Sequence, residues 1–275
     1  MQAPGGERKM TEFKNAIGKL AIAIAACWCL ESPAQQNDWQ PLFNGKDLHG
    51  WKPKITGHEF GEDPYKTFRV EDGVIKVNYD QYKEFGGKFG HLFYKEPFGD
   101  YRLRLEYRFT GQQVKGGPGW ALRNSGVMIH CQAPETMRKA QEFPVSIEVQ
   151  FLGGDGTNPR PTGNLCTPGT HVVMKESLLT RHCTNSNAKT YHGDGWVKAE
   201  VVVKGGGVIE HYIEGQKVLE YEKPQYDDKD PDGKVLLMNA GGKRVIEQGY
   251  ISLQAESHPV EFRGIEIQKM KKQGK

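Results

Sequence analysis

Val145–Gly154 reads VSIEVQFLGG, and this alternation sets the fold class. Val145, Ile147, Val149 and Phe151 are apolar, whereas Ser146, Glu148 and Gln150 are not. Successive side chains of a strand point to opposite faces, so the segment is a strand with one dry face and one wet face. A wet face is either solvated or the floor of a site, and the rest of the chain has to decide between them.

Other segments repeat the pattern. TFRVEDGVIKV is a hairpin, with Asp72-Gly73 as its turn between two alternating runs. In YRLRLEYRF, Leu103, Leu105, Tyr107 and Phe109 alternate with Arg102, Arg104, Glu106 and Arg108. NSGVMIHCQ, WVKAEVVVKGG, VIEHYIEGQKVLEYE, GYISLQAES and VEFRGIEIQKM are further strands, and Glu214-Gly215 turns a second hairpin. No stretch after the leader carries a long helical period. The expected class is all-β, two antiparallel sheets packed face to face.

The 275 residues are 37% hydrophobic and 26% charged, with a formal charge of +3. That balance gives no support for a nucleic-acid partner, which would need a basic patch or stripe. The first segment stands apart. Arg8, Lys9, Lys14 and Lys19 precede the apolar run LAIAIAACWCL at 20–30. This is too short for a membrane span of about 20 residues and fits a secretory signal peptide over 1–34, with Ser32-Pro33-Ala34 as a cleavage site. Ile24-Ala25-Ala26-Cys27 also reads as a lipobox, which would place a lipid anchor on Cys27. Export to the periplasm or medium is the expectation under either reading. Residues 38–272 contain no linker or repeat and are expected to form one sandwich domain. Cys27 and Cys29 fall in the leader, leaving Cys131, Cys166 and Cys183. An exported chain would join two of these, and Cys166–Cys183, flanking a loop-rich stretch, is the preferred pair.

Four stretches together resemble one family. WQPLFNGKDLHGW opens the match, FGDYRLRLEYRF and NSGVMIH with IEVQFLG form its middle, and GDGWVKAEVVVKG with ISLQAESHPVEFRGIEI close it. The set is similar to the 3-keto-disaccharide hydrolase family. The resemblance implies a jelly-roll sandwich of the concanavalin A-like lectin/glucanase type, export in bacteria, and action on glycosides whose glucose-type ring carries a ketone at carbon 3. The chain departs from the family's pattern in two places. An aspartate comes after the IEVQ strand only beyond two glycines, as Asp155. The stretch between Leu165 and Tyr191, with Cys166, His171, Arg181, His182 and Cys183, is long.

The candidate site follows by parity. Arg104 and Glu106 share a face on one strand, Asn124, Met128 and His130 on another, and Ser146, Glu148 and Gln150 on a third. A carboxylate, an imidazole, amides and a guanidinium on one preformed surface suit a carbohydrate. Trp120 and Arg123 lie in the Gly-rich loop KGGPGWALRNSG, where an exposed indole could stack on a sugar ring or plug the core. Glu256 and His258 end a strand at the rim; Trp39, Trp51 and Trp196 are expected as core or staple residues, and Arg263 in a structural ion pair.

Glucanases of this fold carry carboxylates in an E-x-D-x-x-E strand. Here the strand is Glu148-Val149-Gln150-Phe151-Leu152-Gly153, which argues against ordinary double displacement unless a second carboxylate arrives from elsewhere. A 3-keto sugar needs only a base for the carbon-2 proton, a donor for the enolate oxygen and an acid for the leaving group. Glu148 or His130 is the expected base; Arg104, Arg123 or Asn124 is the expected oxyanion donor. A divalent metal held by Glu148 and His130 is an alternative to that donor. A non-catalytic carbohydrate-binding module and a conventional glycoside hydrolase remain open as other readings.

Overall fold

A computed structural model of the chain describes residues 38–271. The leader, with its signal-peptide and Cys27 readings, lies outside the described residues. In chain order the strands are β1 (Gln40–Pro41), β2 (Trp51–Ile55), β3 (Phe68–Glu71), β4 (Val74–Val77), β5 (Gly90–Tyr94), β6 (Asp100–Phe109), β7 (Asn124–Cys131), β8 (Ile147–Leu152), β9 (Asn164–Cys166), β10 (Thr170–Met174), β11 (Ser177–Leu179), β12 (Cys183–Thr184), β13 (Val197–Lys204), β14 (Val208–Ile213), β15 (Gln216–Tyr226), β16 (Tyr250–Ala255) and β17 (Val260–Lys269). A helix, α1, covers Pro231–Asn239.

These strands form two antiparallel sheets. One has ten strands, ordered β11-β10-β15-β14-β13-β6-β17-β4-β3 with β1 also on β17; the other has seven, ordered β12-β9-β8-β7-β16-β5-β2. The non-consecutive neighbours are those of a jelly-roll sandwich of the concanavalin A-like type. Both expected hairpin turns form: Asp72 and Gly73 have φ of 53° and 76°, and Glu214 and Gly215 have 49° and 75°. Positive φ at both central residues matches the right-handed twist of the flanking strands.

The dry faces meet between the sheets. Leu103, Leu105 and Tyr107 of β6 face Ile147, Val149 and Phe151 of β8, all buried in one cluster. Tyr107 stacks on Phe151 with ring centroids 4.1 Å apart. The buried Tyr107 hydroxyl bonds Thr162, 2.6 Å away, so no polar atom is stranded there.

The outer face of the ten-stranded sheet is a ladder of charge pairs. Arg102 bonds Glu200, Arg104 bonds Glu266, Arg108 bonds Glu261 and Arg263 bonds Glu106. Trp39 and Trp196 belong to this ladder and not to the core. Arg104 lies 4.1 Å over Trp39, while Arg108 and Arg263 lie 4.6 and 4.1 Å from the Trp196 ring centroid. Trp51 is a core residue as expected.

Cys166 and Cys183 form the expected disulfide, closing a separation of 17 residues across β9 and β12. Cys131 is free and buried. The helix α1 breaks the expectation of a helix-free body. PDGKVLLMN has no clear apolar stripe, and its start is set locally by Pro231 and by Asp230, whose side chain caps Gly233 N at 2.7 Å.

Candidate functional site

The outer face of the seven-stranded sheet carries the hollow. Register places Glu148 of β8 beside Met128 of β7 and beside Cys166 of β9. Gln150 lies beside Gly126 on one side and Asn164 on the other. Gly126 makes room for the carboxylate: a Cβ there would stand 2.9 Å from Glu148 Oε1 and 3.0 Å from its Cγ. Gln254, from β16, and Glu256, just beyond that strand, come in from the other side of β7.

The hollow is about 590 Å³ and is lined by Glu148, Glu256, Asn124, Gln150, Trp120 and Arg160, with Phe143, Asp155, His182 and the Cys166–Cys183 disulfide on its walls. Trp120 is 57% exposed and stacks on Phe89 at 5.9 Å with an 11° interplanar angle, so its outer face is a ready platform for a ring. Gln150 accepts from Asn164 Nδ2 at 3.0 Å. Arg160 donates to the Leu122 carbonyl at 2.5 Å. Asp155, on an exposed turn, accepts from the backbone of Thr157 and Asn158, which holds its carboxyl below the usual range.

Electrostatically the site is built around two buried carboxyls. Glu148 and Glu256 are 5% and 3% exposed. Burial pushes Glu148 up to about 8, with the neighbouring Gln254 amide acting in the opposite direction. Burial, reinforced by the Glu148 charge, pushes Glu256 well above the ordinary carboxylate range. Two carboxyls in one dry site cannot both ionise cheaply, so they hold protons that a surface pair would release. Three buried polar atoms of lining residues stand here without a partner: Glu148 Oε1, Glu256 Oε2 and Asn124 Oδ1. Unsatisfied buried groups are costly, and at the wall of a hollow they are groups that ordered water or a polar ligand can reach.

The structure brings Glu148, Glu256, Asn124, Gln150 and Trp120 into one hollow, and it leaves other expected residues out. Arg104 and Glu106 sit on the outer face of the opposite sheet, each held in an ion pair, with the whole core between them and Glu148. His130 does not share a face with Asn124 and Met128. Its φ of 51° interrupts the alternation of β7, and its Nε2 lies 3.0 Å from the carbonyl of Gly205, in the turn that follows β13. Burial pushes this imidazole down to about 4. Arg123 turns aside onto the Gly193 carbonyl and Asp194. His258 packs edge-on against Phe109 at 5.7 Å and feels the positive charges of Arg123 and Arg160. Arg160, Phe143, His182 and Gln254 were not expected; only the even spacing of Gln254 and Glu256 on their strand hinted at any of them. Among the described residues no three His, Cys, Asp or Glu side chains gather as metal ligands. With His130 on the other side of its strand, the Glu148–His130 pair does not fit a metal.

No curated protein matches the chain. Among solved structures it is similar to two candidate glycosyl hydrolases from Parabacteroides distasonis. One is 19% identical over 86% of this chain and 98% of that one, and the other 17% identical over 84% and 99%, each with a TM-score of 0.50. At such identity the likeness is one of fold. The family model for the 3-keto-alpha-glucoside-1,2-lyase-like domain matches residues 38–268. The chain is thus a member of the 3-keto-disaccharide hydrolase family, as its four motif stretches indicated.

Proposed function

We propose that this protein is an exported enzyme that cleaves the glycosidic bond of 3-keto-glycosides, using Glu148 and Glu256 as its acid–base pair. The observation that carries this reading is the meeting of two buried carboxyls in one hollow, of which Glu148 releases its proton before Glu256. Family membership supplies the substrate class.

The chemistry balances with these groups. The ionised carboxylate of the pair removes the proton on carbon 2, which the adjacent ketone acidifies. The enolate oxygen needs a donor, and Asn124, whose amide lines the hollow, is one. The enolate expels the group on carbon 1, whose oxygen takes the proton of the second carboxyl. Water then adds to the unsaturated ring, and the sum is hydrolysis. A base and an acid positioned this way contribute about 10² to 10⁴-fold each. Trp120 offers its free face to the ring, and Arg160 brings positive charge to the wall. Export rests on the basic-then-apolar leader and agrees with the disulfide.

A second reading has one specific observation in its favour. Glu256 is the second carboxylate that the E-x-D-x-x-E comparison lacked, so a conventional glycoside hydrolase has its two acids as well. The two are separated by incubating the protein with a 3-keto-disaccharide and with its unoxidised parent, with and without chelator, and following sugar release. Cleavage of the keto form only, unaffected by chelator, is expected, and Glu148→Gln should lower it at least about 10²-fold. Turnover of the plain disaccharide would instead establish the conventional hydrolase.

A further inference from the structure

We infer that Ser257 is the positioning residue of the hollow: a clamp of Tyr79, Gln113 and Val114 holds it in a left-handed turn, which fixes the Glu256 carboxyl and ties it to the Trp120 loop. This inference rests on the proposed function for the role of Glu256.

Ser257 follows Glu256 directly and has a φ of 91°. A residue with a Cβ rarely adopts such an angle, and the angle persists only where the surroundings over-determine it. Here they do. Ser257 is fully buried, and its N–H, carbonyl and hydroxyl each have a partner. The N–H donates to the Tyr79 hydroxyl at 2.7 Å, the carbonyl accepts from Val114 N at 3.0 Å, and the hydroxyl accepts from Gln113 Nε2 at 2.8 Å. The first bond pins the peptide plane that joins Glu256 to Ser257, and the second pins the next plane. With both planes held, the backbone that carries the Glu256 carboxyl has little freedom to swing. His258, one residue further, packs on Phe109 instead of lining the hollow.

The clamp is rooted in the core and extends to Trp120. Tyr79 is itself buried, edge-on to Tyr82 at 5.0 Å and to Phe85 at 6.3 Å. Phe85 N donates to the Lys115 carbonyl at 2.8 Å, which ties these aromatics to the Gly-rich loop. Gln113 Nε2 also donates to the Pro118 carbonyl at 2.9 Å, at the start of the turn Gly119–Ala121 that carries Trp120. One amide thus joins the Trp120 loop to the residue after Glu256. Gly117 makes room for it, because a Cβ there would stand 2.7 Å from both Gln113 Nε2 and Ser257 Oγ.

The first test needs no substrate. The Glu256 carboxyl is followed by its infrared carbonyl band through a pH titration, with Glu256→Gln identifying the band. In the wild type, burial and the Glu148 charge hold this carboxyl well above the ordinary range. Tyr79→Phe keeps the ring and removes the acceptor of Ser257 N. Glu256 should then gain water and distance from Glu148, and titrate at lower pH than in the wild type. With a 3-keto-disaccharide as substrate, kcat of Tyr79→Phe should fall at least about tenfold with KM little changed. Gln113→Ala frees the Trp120 loop as well, so it should lower kcat and raise KM together. Ser257→Gly serves where Tyr79→Phe fails to fold. Glycine takes a φ of 91° without strain, so this variant should unfold at no lower temperature than the wild type, yet titrate Glu256 lower for want of the hydroxyl bond. An unchanged Glu256 titration in Tyr79→Phe and Ser257→Gly would overturn the clamp. A lowered titration with wild-type kcat would overturn the positioning role. If the wild type does not turn over the 3-keto-disaccharide, the functional reading fails, and the titration judges the clamp by itself.

Discussion

Glu148 shows how one side chain's environment decides its role. Its carboxyl is desolvated on a strand whose other face is core, and its place depends on Gly126 having no side chain. Gly126→Ala should therefore push the carboxylate away from Glu256 and lower kcat by roughly 10- to 100-fold. The accompanying loss of stability should be only about 1–3 kcal/mol by denaturant titration. The raised pKa also has a thermodynamic sign. The folded state holds a proton that the unfolded carboxyl releases near its ordinary value, so Glu148 weakens the fold as pH rises from about 4.3 toward about 8. Glu148→Gln removes that penalty. The variant should be more stable than wild type at pH 8 by on the order of 2 kcal/mol, with the difference shrinking toward pH 5. A stability gain together with lost activity is the expected signature of a residue kept for chemistry.

Glu148 was legible in the sequence because it lies mid-strand opposite Ile147 and Val149. Arg104 was misplaced for a physical reason: a period of two tells which side chains leave the core, but not which sheet they leave it from. His130 was lost to a single left-handed backbone angle, which no alternation reveals. Arg160 and His182 come from loops, where side-chain direction is set by tertiary contacts alone.

Among the elements, the β9–β12 pair is the piece that long-range sequence reading grasped least. Its strands have three and two residues, too short to show a period, and only their cysteines marked them. Register nonetheless puts Cys166 directly beside Glu148. The disulfide therefore secures the wall of the hollow as well as the fold. Replacing both cysteines by serine should cost about 3 kcal/mol, the loop-closure value for a separation of this size, measured by thermal unfolding. KM should rise as the wall that carries His182 loosens. The helix α1 was missed because its residues follow capping and close approach to Gly169, not amphipathic repetition.

For the molecule as a whole, the buried titratable groups pull stability in opposite directions. Burial pushes His91 down to about 3, and His130, His211 and His258 down to about 4. The unfolded chain protonates these imidazoles below about 6.5 while the folded chain does not, so stability falls as pH drops from there toward 4. Glu148 and Glu256 act in the opposite sense, lowering stability as pH rises above the ordinary carboxylate range. Four imidazoles outweigh two carboxyls below pH 6.5, and above it the carboxyls lower stability without that opposition. The unfolding temperature should peak near pH 6.5, as a calorimetric pH series will show. A maximum displaced to pH 8 or above would contradict the burial of the carboxyl pair. His130→Ala should flatten the acid side of that curve while leaving sugar cleavage in place, because its imidazole reaches the Gly205 carbonyl and not the hollow.

The pairing of β1 with β17, Gln40 opposite Ile267, has a practical outcome. The first and last strands of the body lie side by side in the sheet that does not carry Glu148. A linkage attached directly at either strand leaves from that sheet. Protein immobilised on a sensor chip through a linkage placed directly after β17 would keep the Glu148 side open to the flowing analyte.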